Sequence, residues 1–424
     1  MGYVITNVRV FDGSGRAPIA ADVVVEGNRI TSVADAPRRP DAVVIDGAGA
    51  MLLPGLVEPH AHLSFADVTA AELTRLPPEE HMLATVRNAR TMLESGYTSA
   101  FSAASAKPRL DVVLRREIEA GRVPGPRLLA NGPEITVTGG LGDSNALHLP
   151  YHDTPAFAWV ADGPDDIRRV ARVLAREGVD LLKLNISGDQ GTSSAGAEQT
   201  VMTDAEVAAA MEVARPRGLR VCAHARSAGA VLMALRHGVD VIYHANYADE
   251  EALDALEAAR DRIFVAPALG LTYALTQAVG EWGITPERAR LVERELATSV
   301  ETITKMRRRG IRVLPGGDYG FPWHRHGDYA LDLWLFVKVL GFSATETLVA
   351  ATRLGGEIMG KPGELGVIAP GALADLILVD GDPLANIEVL RDQSALRLIM
   401  KDGTIVKDSD PVPAIEARVQ NRAR

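Results

Sequence analysis

Apolar and polar residues alternate in short runs at both ends of the chain. Near the N-terminus, ADVVVEGNRITSVAD consists of two such runs on either side of Gly27 and Asn28. Alternation with a period of two is typical of strands with one buried face, and a Gly-Asn pair between two runs predicts a hairpin. ADLILVDGDP and ALRLIMKDGTIVKD near the C-terminus repeat this pattern with Asp-Gly turns. We therefore predict one small β-sandwich built from both termini, from residues 1–54 plus 360–412.

The middle of the chain, residues 55–359, alternates apolar strands with longer helical stretches. Thr203 and Glu206 have the spacing of a capping box at the start of one helix, and Gly218 is placed to stop it. Eight strand–helix units over about 300 residues predict an α/β fold, a (β/α)8 TIM-type barrel. Residues 413–424 are predicted to form a polar tail. The candidate strands are MLLPGLVEPHAH, GYTSAFSA, PRLLANG, VDLLKLNI, LRVCAHA, VDVIYHA, IFVAPAL and IRVLPGGD.

Composition and charge exclude several classes of partner. The chain has 424 residues, of which 47% are apolar, and a net charge of -10. Such acidity disfavours binding to the phosphate backbone, so no nucleic acid is expected. No apolar run is long enough for a membrane span, and the N-terminus lacks the pattern of a signal peptide. Cys222 is the single cysteine and cannot form an internal disulfide. We expect a cytoplasmic protein without a membrane partner.

Polar residues that suit metal binding stand at the ends of five candidate strands. In a barrel of this type the active site lies at the carboxyl ends of the strands, so these side chains would converge if the barrel closes. They are His60 and His62 on strand 1, Lys183 on strand 4, His224 on strand 5, His244 on strand 6 and Asp318 on strand 8.

The spacing of His60 and His62 allows both to bind one metal ion, because residues i and i+2 of a strand face the same way. Imidazole and carboxylate ligands suit zinc and neighbouring divalent metals. An ammonium group at the position of Lys183 is costly to bury unless it is paired or chemically changed. A buried amine that reacts with carbon dioxide gives an anionic carbamate, which has two oxygens and is able to bridge two metals. In the alternative with one metal, Lys183 is structural.

This set of residues resembles that of the amidohydrolase superfamily, and the motifs around it are most similar to those of the imidazolonepropionase-like group of binuclear metal-dependent hydrolases. LLPGLVEPHAHL and GELGVIAPGALADLILVDGDPL extend the resemblance over nearly the whole chain. The resemblance implies two divalent metal ions, expected to be Zn²⁺: the more buried ion held by His60, His62 and Asp318, the second by His224 and His244, and both bridged by carbamylated Lys183.

The resemblance also implies a mechanism. Metal coordination lowers the pKa of bound water towards about 7, which makes hydroxide available at neutral pH. Asp318 is then the catalytic residue that takes the proton and passes it to the leaving nitrogen. The second metal polarises the scissile carbonyl. A homo-oligomer is expected, because such assemblies are frequent in the family.

Two positions depart from the dipeptidase-like members of the group. Leu141 in VTGGLGDSN replaces a histidine, and Arg226 follows AHA where a tyrosine is usual. Both positions face the substrate in the family, and the changes favour uncharged amide, urea or carbamate substrates. Arg226 could equally form an ion pair inside the barrel mouth. His326, in the loop WHRH after strand 8, is a candidate for a substrate contact, although exposed loop histidines are common.

We therefore predict a metal-dependent hydrolase that cleaves a carbon–nitrogen bond of a small amide, urea, carbamate or cyclic amide by a metal-activated hydroxide. The alternative is an Xaa-Pro-type dipeptidase or carboxypeptidase of the same fold, for which Arg226 is the clear candidate to bind the α-carboxylate. A catalytically silent scaffold is disfavoured, because every ligand type is present.

Overall fold

Strands from both ends of the chain pair with each other, and parallel strands alternate with helices between them. The computed structural model describes residues 2–34, 41–148, 157–190 and 194–409. Within these ranges the strands are β1 (Gly2–Val10), β2 (Ile19–Glu26), β3 (Arg29–Val33), β4 (Ala42–Asp46), β5 (Met51–Pro54), β6 (Leu56–Ala61), β7 (Tyr97–Ser102), β8 (Arg127–Leu129), β9 (Glu134–Thr136), β10 (Ala158–Val160), β11 (Leu181–Asn185), β12 (Arg220–Ser227), β13 (Val241–Tyr247), β14 (Phe264–Ala266), β15 (Leu376–Val379), β16 (Leu396–Lys401) and β17 (Thr404–Asp408).

Side-chain caps fix the starts of several helices. The predicted capping box is present, since Thr203 and Glu206 each accept a hydrogen bond from the other's backbone N–H. Gly218, at a φ of +65°, ends the 3₁₀ segment that follows this helix. The helices are α1 (Ala70–Arg75), α2 (Pro78–Glu94), α3 (Leu110–Glu119), α4 (Gly163–Glu177), α5 (Asp204–Ala214), α6 (Ala228–His237), α7 (Glu250–Ala258), α8 (Leu269–Gln277), α9 (Pro286–Arg308), α10 (Leu331–Lys338), α11 (Ala344–Val349) and α12 (Gly355–Ile358), with 3₁₀ segments Arg215–Arg217 and Ile387–Arg391 and a π-helical turn Ala350–Leu354.

The terminal strands form one mixed sheet. Its order is β17-β16-β15-β5-β1-β2-β3, and β4 pairs with β1 in parallel. The junction between the two ends is the antiparallel pairing of β15 with β5, which places Ile377 opposite Leu53. Alternate residues such as Ile5, Val23 and Leu398 are buried in a core of their own. The prediction that both ends of the chain come together is confirmed by this sheet. The predicted tail, residues 413–424, lies outside the described residues.

The strands of the middle region are parallel and belong to two sheets, β6-β7-β8 and β10-β9-β11-β12-β13-β14. Residues of β6, β7 and β11 are buried on both faces, as expected for parallel strands covered by helices. The predicted α/β class is thereby confirmed. The first predicted strand divides at Gly55, so that β5 joins the terminal sheet and β6 the parallel sheet. The eighth is reduced to one bridge, between Val313 and Val265.

The register of β11, β12 and β13 places candidate ligands on neighbouring strands at matching heights. Lys183 pairs with Cys222, and His224 lies opposite Tyr243, the residue before His244. Carboxyl ends of parallel strands meet at one edge of a sheet, so these side chains share one end of the fold. None of the helices in the described ranges is long and apolar enough to cross a membrane.

The turn between β16 and β17 should tolerate no side chain at Gly403. A Cβ at Gly403 would lie 1.8 Å from the carbonyl oxygen of Gly27, in the turn between β2 and β3. We expect Gly403→Ala to lower the free energy of unfolding by about 1–3 kcal/mol more than Gly363→Ala. Gly363 is the matched control, because its φ of +73° is close to the +68° of Gly403 and its Cβ would meet nothing within 4 Å. Urea unfolding followed by circular dichroism measures both; equal losses would refute the contact.

Candidate metal centre

One cavity, with a volume of about 510 Å³, lies at the carboxyl ends of the parallel strands. All six side chains named from the sequence as metal ligands contribute to its lining. Each of them is at most 7% exposed. The structure therefore brings together His60, His62, Lys183, His224, His244 and Asp318.

His60, His62 and Asp318 form the tightest group, with one ligand atom from each within 4.8 Å of the others. The distance from His62 Nε2 to Asp318 Oδ1 is 3.2 Å, and from His60 Nε2 to Asp318 Oδ2 it is 3.8 Å. His62 Nδ1 donates to the carbonyl of Ala104 at 3.1 Å, which leaves Nε2 of the neutral ring as an acceptor. Two acceptors that face each other require a cation or a proton between them.

Both ring nitrogens of His60 are buried without a hydrogen-bond partner among the described residues. Its ring is stacked on Tyr243, at 3.8 Å between centroids, which fixes its orientation without using either nitrogen. Buried polar atoms are nearly always hydrogen-bonded, so a histidine of this kind demands an explanation. The donor set fits a divalent metal ion, for which imidazole nitrogen and carboxylate oxygen are ordinary ligands.

His224 and His244 lie beside this group. Their ring centroids are 4.5 Å apart, and the centroid of His244 is 5.2 Å from that of His60. His224 Nε2 donates to the carbonyl of Gly188 at 3.0 Å, which leaves Nδ1 with the lone pair. Nδ1 of His244 is buried without a partner in the described part of the chain. The two rings therefore also have a nitrogen available for a ligand.

The protonation of these groups suits metal binding. Burial lowers the pKa of His60 and His244 well below the ordinary value, and that of His224 to about 3. Although burial alone would raise it, the pKa of Asp318 is held far below its usual range by His60 and His62. Neutral imidazoles beside a carboxylate are the forms that coordinate a metal.

Lys183 has a neighbour that the sequence did not indicate. Its Nζ lies 3.8 Å from Oε1 of Glu134 and 4.3 Å from the centroid of the Tyr243 ring. The other carboxylate oxygen of Glu134 accepts from Asn185 Nδ2 at 2.7 Å. Glu134 lines the cavity on β9. The signal that could have identified it is an acidic residue at the start of the apolar run EITV.

Glu58 links the strand that carries His60 to the segment that carries Asp318. Its Oε1 accepts from the backbone N–H of His60 at 2.8 Å and of Gly317 at 3.3 Å. The side chain is buried, and burial raises the pKa of Glu58 well above its ordinary value. Glu58 thus positions two candidate ligands through their backbone.

Arg226 is held in a buried network and does not contribute to the cavity lining. Its guanidinium lies 2.7 Å from Asp189 Oδ2 and 2.5 Å from Glu295 Oε1, and it donates to Asn246 Oδ1 at 2.9 Å. Asp189 does line the cavity. The geometry favours the ion-pair alternative, and a substrate contact by Arg226 stays a prediction.

The other two residues predicted to contact substrate differ in their placement. Leu141 lines the cavity. His326 lies outside the lining, with Nδ1 2.7 Å from the hydroxyl of Tyr329 and Nε2 2.8 Å from the carbonyl of Phe65. Both ring nitrogens of His326 are therefore occupied, and substrate binding by either residue stays a prediction.

Comparison with known proteins agrees with this chemistry. Residues 51–406 match the model of the amidohydrolase family. An ochratoxinase of Aspergillus niger is 24% identical over 384 residues, which cover 84% of this chain and 76% of that protein. An imidazolonepropionase of Salinispora arenicola is 24% identical over 437 residues, which cover 95% of this chain and 96% of that protein. The resemblance inferred from the strand-end residues is confirmed.

Solved structures extend the similarity to the whole fold. The crystal structure of a prolidase complexed with N-methylphosphonate-L-proline is 28% identical, with a TM-score of 0.88 over 96% of this chain and 100% of that chain. The structure of Aspergillus niger ochratoxinase is 20% identical with a TM-score of 0.85, a similarity of fold alone.

The Arg226 network predicts a stability effect. Arg226→Met leaves the buried Glu295 and the half-buried Asp189 without their cation, so we expect the free energy of unfolding to fall by about 3–5 kcal/mol. Arg169→Met is the control, because Arg169 pairs with Asp166 at the surface and its loss should cost no more than about 1 kcal/mol. Chemical denaturation of both variants provides the measurement. Unchanged stability with a raised KM would instead assign Arg226 to the substrate.

Proposed function

The chain belongs to the amidohydrolase family and is a hydrolase acting on carbon–nitrogen bonds, and we propose that it uses divalent metal ions to cleave an amide, urea, carbamate or cyclic amide bond of a small molecule. The observation that carries this proposal is the convergence of four histidines, an aspartate and a lysine on one buried cavity. The unpartnered nitrogens of His60 and the facing acceptors of His62 and Asp318 support it further.

Two Zn²⁺ ions are the proposed cofactors. We assign the first to His60, His62 and Asp318, and the second to His224 and His244. Carbamylation of Lys183 joins Nζ to the carbon of carbon dioxide and releases a proton, and it gives an anion with two oxygens to bridge the ions. When bound, the ions supply Lewis-acid chemistry, in that they acidify water and polarise a carbonyl.

Asp318 is the proposed catalytic base. Its carboxylate lies in the cavity lining between His60 and His62, within reach of a water that attacks the scissile carbon. Asp318 takes a proton from that water and transfers it to the leaving nitrogen as the carbon–nitrogen bond breaks. The products are an acid, or a carbamate where a urea is cleaved, and an amine.

The proposed architecture is a closed (β/α)8 barrel over residues 55–359 with a β-sandwich of residues 1–54 plus 360–412. The parallel order of the two central sheets and the bridge at Val313 support closure. The predicted homo-oligomer stays a prediction.

A peptidase of the same fold is the second candidate. The observation that favours it is the similarity to a prolidase over nearly the whole of both chains. The cation expected to bind an α-carboxylate, Arg226, is however already paired with two carboxylates. We therefore retain the broader proposal of a small-molecule amide hydrolase.

Metal content and hydrolysis test the proposal together. We expect up to two divalent ions per chain and turnover of at least one member of a panel of N-acyl amino acids, dipeptides, aryl amides, ureas and carbamates. Chelation should abolish the turnover, and Zn²⁺ should restore it. His244→Ala should lose one ion, whereas His237→Ala, a change at a helix end outside the cavity, should keep both. Full turnover by a metal-free sample would contradict the proposal.

The variant Lys183→Ala distinguishes a site with two metal ions from a site with one. If the carbamate bridges the ions, this variant should lose most of the second metal and at least about 10- to 100-fold in kcat, the scale on which even groups outside the ligand shell control activity. Lys401→Ala is the control, because Lys401 is a half-buried lysine of the terminal sheet. Wild-type enzyme loaded with ¹³C-bicarbonate should show a carbamate resonance that Lys183→Ala lacks. Two ions and full activity in Lys183→Ala would refute the bridge.

A further inference from the structure

Each charged side chain of the cavity lining has a described partner in an ion pair or a hydrogen bond, with one exception. Glu134 faces Lys183, Asp189 faces Arg226, and Asp143 accepts from the backbone N–H of Gly139. Lys183, before carbamylation, and Arg288 are the lysine and arginine side chains of the lining. Arg288 forms no ion pair with any described residue, and its Nε is buried without a hydrogen-bond partner there. Arg288 is half-buried, and it is the cation of the lining without an ionic partner among the described residues.

The position of Arg288 at the start of its helix is also unfavourable for a cation. Arg288 is the third residue of α9, after the cap Thr285 and the initial Pro286, and its backbone N–H donates to Thr285 Oγ1 at 3.2 Å. The N-terminal turn of a helix favours negative side chains, because the helix dipole is positive there. Helix stability does not explain an arginine at this position. An anion in the cavity would satisfy both the side chain and the dipole.

Trp323 contributes a second hydrogen-bond donor to the lining of the same cavity. Its Nε1 is buried without an acceptor among the described residues, and the residue lines the cavity. The ring is stacked on Phe321, with 5.3 Å between centroids and 6° between planes, so its orientation is fixed. Indole and guanidinium groups only donate, so neither can satisfy the other. An acceptor that enters the cavity would satisfy both.

Several other residues of the cavity lining are apolar. Phe65 lies 5.3 Å from Phe157 and 5.4 Å from Phe321, measured between ring centroids, and Leu271 and Leu275 also line the cavity. Such a surface gains free energy by covering an apolar or aromatic body. The cavity thus combines an apolar surface with two donors that lack an acceptor.

We infer that Arg288 and Trp323 form a carboxylate subsite, and that the substrate is an amide whose apolar body carries a carboxylate, as in an N-acylated apolar amino acid. The planar guanidinium matches a carboxylate in two parallel hydrogen bonds, and the indole N–H adds a third. This inference rests on the proposed function and narrows its substrate class.

Substrate pairs that differ by one carboxylate test it. The pairs are N-acyl-L-phenylalanine and N-acyl-2-phenylethylamine, with acetyl, benzoyl and 2-naphthoyl groups. We expect kcat/KM to be about 10- to 100-fold higher for the carboxylate member. Arg288→Gln should lower kcat/KM for the carboxylate member, chiefly by raising KM, and so abolish this preference. Trp323→Phe should weaken it less. Arg290→Gln, an exposed arginine two residues along the helix, is the matched control.

The outcomes separate this inference from the proposed function. Turnover without preference for the carboxylate overturns the subsite and leaves the amide hydrolase standing. If neither member of any pair is turned over, calorimetry with N-acetyl-L-phenylalanine and the metal-loaded enzyme decides. Equal affinity of the wild type and Arg288→Gln, or no binding by either, overturns the subsite, whereas a loss confined to Arg288→Gln supports it. Absence of metal and of all hydrolysis would refute the proposed function itself.

Discussion

Charged groups at the carboxyl ends of the parallel strands are out of water and have to neutralise one another, and the organisation of the site follows from this constraint. Asp318 faces the acceptor nitrogens of His60 and His62, which calls for a cation or a proton between them, and Lys183 faces Glu134. A buried charge without a partner costs several kcal/mol, so each of these side chains is tolerable only when the others are in place. The partners come from β6, β9, β11 and the segment that carries Asp318, which means that the site exists only in the folded chain.

Strand pairing and local backbone strain supply that geometry. The register of β12 and β13 sets Ala225 beside His244, one residue beyond His224. His244 and Asp318 have φ angles of +73° and +59°, a conformation that costs a residue with a side chain roughly 1–2 kcal/mol. Such strain persists where neighbouring contacts over-determine it, and it concentrates at functional sites. The hydrogen bonds that the backbone N–H groups of His60 and Gly317 donate to Glu58 are contacts of this kind, and Gly317 directly precedes Asp318.

The sequence was sufficient to predict those features of the fold and the site that depend on neighbouring residues. Three such features are present: the spacing that directs His60 and His62 to one cavity, the capping box of α5 and the hairpin at Gly27. Each depends on residues a few positions apart. The pairing of Lys183 with Glu134 depends on two strands that only the folded sheet brings together. The same is true of the division of the first strand at Gly55, where a Cβ would lie 2.1 Å from the Thr98 hydroxyl.

Two arginines illustrate why residue type alone does not identify a substrate contact. Arg226 follows a candidate ligand by two residues, which made it the natural choice for an anion, yet Asp189 and Glu295 already satisfy it. Arg288 stands in a polar helix and carried no motif, yet it lines the cavity without an ion pair to any described residue, and its Nε lacks an acceptor there. A guanidinium is permanently charged, so its role follows from what neutralises it. Arg226 has two carboxylate partners within the fold, and in the inferred subsite the partner of Arg288 is the carboxylate of the substrate.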